Sequence, residues 1–233
     1  MNRQDLIAEI RYVWDVISQM KIDLSFSNPI PLVASEKFKE VSRDRSSSYE
    51  RIYLVGLKNS EYNILLADHS YFQFGFAGQN SLRFAYYPNP FFSLSEANSE
   101  MLKELEYYLE EGIVSYEDYL MKLSELRNGN HAPYLRFDYS AAEYKKLSHP
   151  AAHLHLGNHF ENRWPTRKIL TPKAFALIIL KHFYSNYWED IKTVSILGVP
   201  HELNALLARC KMDCSIVPIE FFDADEENQF HLA

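Results

Sequence analysis

Seven glycines, ten prolines and two cysteines are all that 233 residues contain of these types. Among them there is no phosphate-cradling loop of the G-x-x-x-x-G-K-[ST] or G-x-G-x-x-G type and no G-x-S-x-G nucleophile turn. That excludes the common nucleotide-binding and serine-hydrolase signatures. So few glycines and prolines also argue against long disordered tracts. The cysteines, Cys210 and Cys214, are too few for a disulfide framework, which points to a reducing cytoplasm. Their C-x-x-x-C spacing lacks the second pair that a structural zinc site requires. Long apolar runs are missing: the longest, around Phe175–Leu180, falls far short of the ~20 residues a bilayer span needs, so no membrane association is expected. Residues 1–20 carry Asp5, Glu9, Arg11 and Asp15 and do not read as a signal peptide. Cationic excess is missing too. A net charge of −7 excludes a uniformly basic nucleic-acid binder but leaves room for a local basic patch.

What is abundant is aromatic. Tyrosine and phenylalanine number 16 and 15, in a chain that is 47% hydrophobic. These residues favour strands and predict an aromatic-rich core. The length suits one α+β domain over residues 1–233, an antiparallel sheet of about five to eight strands with helices packed on it.

The hydrophobic period places the elements. Residues 4–22 form an amphipathic helix through Leu6, Ile10, Val13, Trp14, Ile17 and Met20. Residues 36–41 form a helical turn. Arg51–Lys58, Glu61–Asp68, Tyr71–Phe76 and Ser81–Tyr87 read as a meander of short strands, stopped by Pro88-Asn89-Pro90. Residues 95–127 read as two helices, with Ser95 and Ser115 as caps. Thr171-Pro172 opens a buried helix running to about Trp188. Val194–Val199 reads as a strand, Pro200-His201-Glu202 opens a helix to about Cys210, and Ser215–Phe222 is a last strand at a sheet edge. The acidic tail Asp223–Asn228 is expected in solvent.

One stretch carries ionisable groups in a pattern. In Tyr134–Tyr139, Leu135, Phe137 and Tyr139 share one strand face, and Arg136 and Asp138 share the other. In Ala151–Gly157, Ala152, Leu154 and Leu156 share one face, and His153 and His155 the other. A hairpin-like return through residues 140–150 brings the two polar faces together. An aspartate beside an imidazole fixes its tautomer, and two histidines can divide acid and base roles in phosphodiester cleavage while arginines hold the phosphate. The expected catalytic set is therefore His153, His155, Asp138, Arg136 and Arg83, working without metal or cofactor, as in a metal-independent ribonuclease. The loop after the second strand adds Arg163, Arg167 and Lys168 as an expected ligand-binding set for nucleic acid, near the N-terminus of the Pro172 helix. A competing metal reading completes the H-x-H pair with Asp138, His149, His159 or Glu161. The histidine-triad pattern H-x-H-x-H fails, because Gly157 stands where its third histidine belongs.

The segments R-F-D-Y, H-P-A-A-H-L-H-L-G, R-W-P, L-T-P-K-A-F and F-Y also carry a resemblance. Across most of the chain, and most sharply from Tyr134 to Tyr184, they resemble the bacterial DUF2290 family. The resemblance implies a bacterial setting, often near mobile-element or phage-defence genes, and supplies no catalytic assignment. The R-x-D-Y and H-x-H arrangement is also similar, more loosely, to small toxin-like ribonucleases. Two functions are expected from the residues and the resemblance together. One is a phosphodiesterase or ribonuclease-type effector acting on RNA or other nucleic acid. The other is a non-catalytic scaffold or regulatory subunit with a protein partner from the same operon, since tyrosine and tryptophan are enriched at interfaces.

Overall fold

A computed structural model describes residues 1–26, 28–91, 96–115, 118–119, 121–122, 133–157, 162–229 and 231–232. Helix α1 (Arg3–Gln19) starts in a capping box between Asn2 and Asp5, and it buries Leu6, Ile10, Val13, Val16 and Ile17. Then follow β1 (Asp23–Phe26), α2 (Glu36–Arg43), α3 (Tyr49–Lys58), β2 (Ile64–Leu66), β3 (Tyr71–Gly78), β4 (Ser81–Tyr87) and α4 (Glu96–Glu110). Beyond them lie β5 (Leu135–Ser140), β6 (Ala152–Leu156), β7 (Trp164–Pro165), β8 (Lys168–Ile169), α5 (Pro172–Phe183), α6 (Ser185–Ile191), β9 (Thr193–Ile196) and β10 (Val199–Glu202). Helix α7 (Leu203–Asp213), β11 (Ser215–Ile216) and α8 (Ala224–Glu227) complete the described elements.

Strands β1 to β7 form one antiparallel sheet in chain order, with two small ribbons, β9–β10 and β8–β11, beside it. This is the expected α+β class. Side chains alternate across the sheet. Phe72, Phe74, Phe84, Phe137 and Ala152 point to one face, where α1, α5 and α7 cover them. Leu65, Tyr71, Ala85, Tyr87 and Tyr134 point to the other, under Phe38 and Val41 of α2, Ile52 and Tyr53 of α3, and Leu105 of α4. Along β5 and β6 this second face changes from aromatic to ionisable, and the candidate site lies there.

Several segments depart from the sequence reading. Residues 51–58, expected as a strand, form α3: Ser48 caps it by accepting from the Arg51 amide, and Ile52, Tyr53 and Gly56 are buried at helical spacing. Apolar density alone did not separate the two periods. Residues 200–202, expected to open a helix, are a strand. Leu197 and Gly198, with φ of 51° and 80°, turn β9 into β10, and Glu202 then caps α7 through the Asn204 and Ala205 amides. The helix from Thr171 breaks at Tyr184, and His182 is exposed. The last strand is confined to β11 before a 3₁₀ turn at Ile219–Phe221. The acidic tail is tied down, with Lys146 paired to Asp223 and Asp225 and Glu226 buried. The expected cap Ser95 lies outside the described residues, whereas Ser115 does accept from the Asp118 amide at 3.1 Å. No helix among the described residues is long and apolar enough to cross a membrane.

Gly56 marks the closest approach of α3 to the sheet. A Cβ there would fall inside the Tyr71 hydroxyl and 3.0 Å from the Phe38 ring. Alanine gains about 1 kcal/mol of helix propensity over glycine, but overpacking a buried contact costs roughly 1–3 kcal/mol. Gly56→Ala is therefore expected to lower the denaturation midpoint; an equal or higher midpoint would show that α3 can move away from Tyr71 at no cost.

Candidate functional site

Cross-strand register assembles the site. Asp138 of β5 pairs with Arg83 of β4 on one side and His153 of β6 on the other, and Arg136 pairs with His155. All five expected catalytic side chains thus meet on one sheet face. The Asp138 carboxylate is engaged on both oxygens. Oδ1 accepts from Arg83 Nε at 2.8 Å, and Oδ2 accepts from Arg136 Nε at 2.9 Å. His155 Nε2 lies 3.5 Å and His153 Nε2 3.9 Å from the same Oδ2, and the two Nε2 atoms are 3.1 Å apart. Both imidazoles are buried, each 2% exposed, so the cluster reaches solvent through Arg83, whose side chain is 57% exposed.

The loop between β5 and β6 sets the tautomers. His153 Nδ1–H donates to the Pro150 carbonyl at 2.8 Å, which leaves Nε2 as a lone pair. His155 must then carry its proton on Nε2 for the short ring contact to be favourable. The rings touch through their Nε2 atoms, so they do not flank a substrate as two separate groups; they act as one coupled unit. His149 packs edge-on against His153 and bonds through Nδ1 to the Glu143 carbonyl.

The three expected ligand-binding cations separate. Extending the β6–β7 register by one residue sets Arg163 across from His155, and its Nε is buried without a hydrogen-bond partner. Arg167 instead donates to the Val217 carbonyl and lies 4.9 Å over the Phe222 ring, and Lys168 donates to the Lys211 carbonyl at the end of α7. Both serve the C-terminal packing and are not brought to the cluster. His159 and Glu161 lie outside the described residues. The sequence reading missed Lys39 and Arg43 of α2. With Arg83 they line a cavity of about 290 Å³ that reaches Asp138. A second, smaller cavity that shares Lys39, Arg43 and Arg83 in its lining is also lined by Arg136 and Tyr134. The signal was present: Lys39 and Arg43 are four apart on a helix whose buried residues are Phe38 and Val41.

Charge states follow from burial and partners. Burial pushes the His153 imidazole down to about 4, against the opposing pull of Asp138, and burial with the Arg136 guanidinium lowers His155 as well. Burial alone would raise the Asp138 carboxyl, but the His155 hydrogen bond and the Arg136 and Arg83 guanidiniums outweigh it and hold it well below the usual carboxylate range. At neutral pH the cluster is a carboxylate with two neutral imidazoles. Because the folded histidines hold protons less tightly than unfolded ones, the unfolded chain binds more protons as pH falls below the unperturbed value of about 6.5. Stability is therefore complete above about 6.5 and lost progressively toward pH 4, by up to about 3 kcal/mol from His153 alone. Denaturant titrations at several pH values read this directly; stability that is flat or rising as pH drops from 6.5 to 4 would contradict these charge states.

A family model described as "Uncharacterized conserved protein (DUF2290)" matches residues 19–233. No curated protein and no solved structure matches the chain. The family match includes every strand of the sheet and all five residues of the cluster, and on that extent the chain belongs to the DUF2290 family.

Proposed function

We propose that the chain hydrolyses phosphodiesters, with the Asp138–His153–His155 cluster as the reacting centre and the cavity under α2 as the anion site. One observation carries this reading: Arg83 belongs to both. Its Nε holds Asp138, and its side chain lines the cavity that Lys39 and Arg43 border. A phosphate in that cavity meets an arginine whose position is fixed by a buried carboxylate, and an arginine fork binds phosphate with defined geometry. The volume, about 290 Å³, is at the low end of small-ligand pockets and suits one nucleotide-sized group in place of a duplex. The second cation layer, Lys39 and Arg43, then holds the flanking backbone charge of a single-stranded nucleic acid.

The coupled imidazoles supply the proton chemistry. Neutral at pH 7, they can accept a proton from an attacking hydroxyl or water as its oxygen bonds to phosphorus, Asp138 stabilises the imidazolium that forms, and the imidazolium returns the proton to the leaving alcohol oxygen as the ester P–O bond breaks. Arg136, fixed against Asp138 Oδ2, adds positive charge for the developing phosphorane.

The test is cleavage of single-stranded RNA and of bis(p-nitrophenyl) phosphate by the purified chain. His153→Ala and His155→Ala are each expected to lower the rate by about 10²-fold or more. Lys39→Ala and Arg43→Ala are expected to weaken RNA binding and to lower its salt slope by about one each. No cleavage of either substrate by the wild-type chain, or full activity in both histidine variants, would sink the proposal.

A further inference from the structure

We infer that the Asp138–His153–His155 cluster binds a divalent transition-metal ion of the zinc class, through His153 Nε2, His155 Nε2 and Asp138 Oδ2. The inference rests on the phosphodiesterase reading for the location of the reacting centre, but with the ion bound the two Nε2 atoms serve as ligands in place of proton acceptors; it stands on ligand geometry and can hold or fail separately.

The spacing of the three atoms carries it. Ligands about 2.1 Å from one ion lie about 3.0 Å apart at a right angle and about 3.4 Å apart at a tetrahedral angle. The two Nε2 atoms are 3.1 Å apart, and His155 Nε2 is 3.5 Å from Asp138 Oδ2. The third edge, His153 Nε2 to Oδ2, is 3.9 Å and closes by a few tenths of an ångström on binding. Among the described residues, these three form the only group of histidine, cysteine and carboxylate side chains whose donor atoms converge in this way. Two histidines and one carboxylate leave coordination positions open for water or substrate, the arrangement of a reactive site.

The surroundings match a ligand set. His153 Nδ1–H is held by the Pro150 carbonyl, the kind of outer contact that fixes a ligating imidazole with its other nitrogen free. Two strands of a packed sheet supply the ligands, so their rotamers are set by burial. The guanidiniums of Arg83 and Arg136 take one lone pair on each Asp138 oxygen, and Oδ2 keeps another for the ion. Without an ion, two imidazole Nε2 atoms face each other across 3.1 Å with room for one proton between them. Binding moves that proton from His155 Nε2 to its Nδ1, after which all three atoms present lone pairs. The ion adds positive charge beside two arginines. The site therefore favours an anionic further ligand, such as hydroxide or a phosphate oxygen from the cavity under α2.

The experiment uses the full chain, stripped with chelator and titrated with zinc and with cobalt. Binding is read by elemental analysis after gel filtration and by the visible absorption of bound cobalt. One ion per chain is expected. Loss of an outer contact typically costs about 10–100-fold in metal affinity, so loss of a direct ligand in His153→Ala, His155→Ala or Asp138→Asn is expected to cost at least about 100-fold. Circular dichroism of each variant separates lost ligation from lost fold. If a variant is unfolded, the wild-type titration and inorganic phosphate, which is expected to tighten cobalt binding, still decide. Substoichiometric metal on the wild-type chain, or wild-type affinity in folded variants, overturns the inference. A chain that cleaves phosphodiesters yet takes up no ion in the titration overturns it while leaving the hydrolase reading intact. One bound ion with no cleavage overturns the hydrolase reading and leaves the metal site standing.

Discussion

A carboxylate buried in the middle of a sheet has to be matched by positive charge, and the geometry around Asp138 follows from that requirement. Removing an ion from water costs several kcal/mol even after relaxation, and the cost is offset only when partners occupy the remaining hydrogen-bond positions. Arg83 from the strand before and Arg136 two positions along the same strand do so, one on each oxygen. This fixes the pairing of β4 with β5. A slip of one residue would turn Asp138 toward the aromatic rings of Phe84 and Phe175 on the other face, away from Arg83 and Arg136, and bring Phe137 into the ionic row. The ion pairs and the aromatic core therefore specify the same register from opposite faces.

The two faces divide the work of the molecule. The first is closed by α1, α5 and α7 around an apolar cluster, within which the Tyr86 and Tyr184 hydroxyls bond each other and Tyr184 donates to Asp68. The second begins as a row of tyrosines, Tyr53 stacked on Tyr71, Tyr71 stacked on Tyr87 and Tyr134 tilted against Tyr87, with ring centroids 5.5, 4.7 and 4.7 Å apart. Tyr134 stands immediately before the ionic rows, so the tyrosine row is a rigid wall against which Arg136 and its neighbours are held. Rigidity in the supporting shell is what keeps donor atoms within a fraction of an ångström of a working geometry.

The candidate site was the most legible part of the sequence, because period-2 alternation in R-F-D-Y and H-L-H assigns faces without reference to anything distant. What alternation could not convey was that the polar face is buried. That is a matter of tertiary packing: His149 and the Pro150 carbonyl close on His153, while α2 and α3 cover the Arg83 and Arg136 side, and the Arg51–Lys58 segment reads as a strand until Ser48 is recognised as a cap. The same error hid Lys39 and Arg43, since the surface they line exists only once the helices are in place. Arg167 and Lys168 were misleading for a related reason. Clustered in sequence with Arg163, they diverge in space because β8 turns away from the main sheet to pair with β11. The DUF2290 resemblance was legible from the same motifs, and the match to residues 19–233 extends it over nearly the whole chain.

The chain-order meander of β1 to β7 has a kinetic meaning. Most of its strands pair with a near neighbour along the chain, and such hairpins close quickly. Two junctions are different: β1 pairs with β2 across α2 and α3, and at the junction of β4 with β5 Arg83 and Asp138 are 55 positions apart. Closing so long a loop carries an entropic cost that grows by about 0.6 kcal/mol with each doubling of length, and nothing repays it until the contacts across the junction form. The sheet thus contains two locally folding runs, β2–β4 and β5–β7, and the ionic rows lie on the seam between them. Formation of the Arg83–Asp138 contact reports the docking of those runs, an event distinct from the folding of either one.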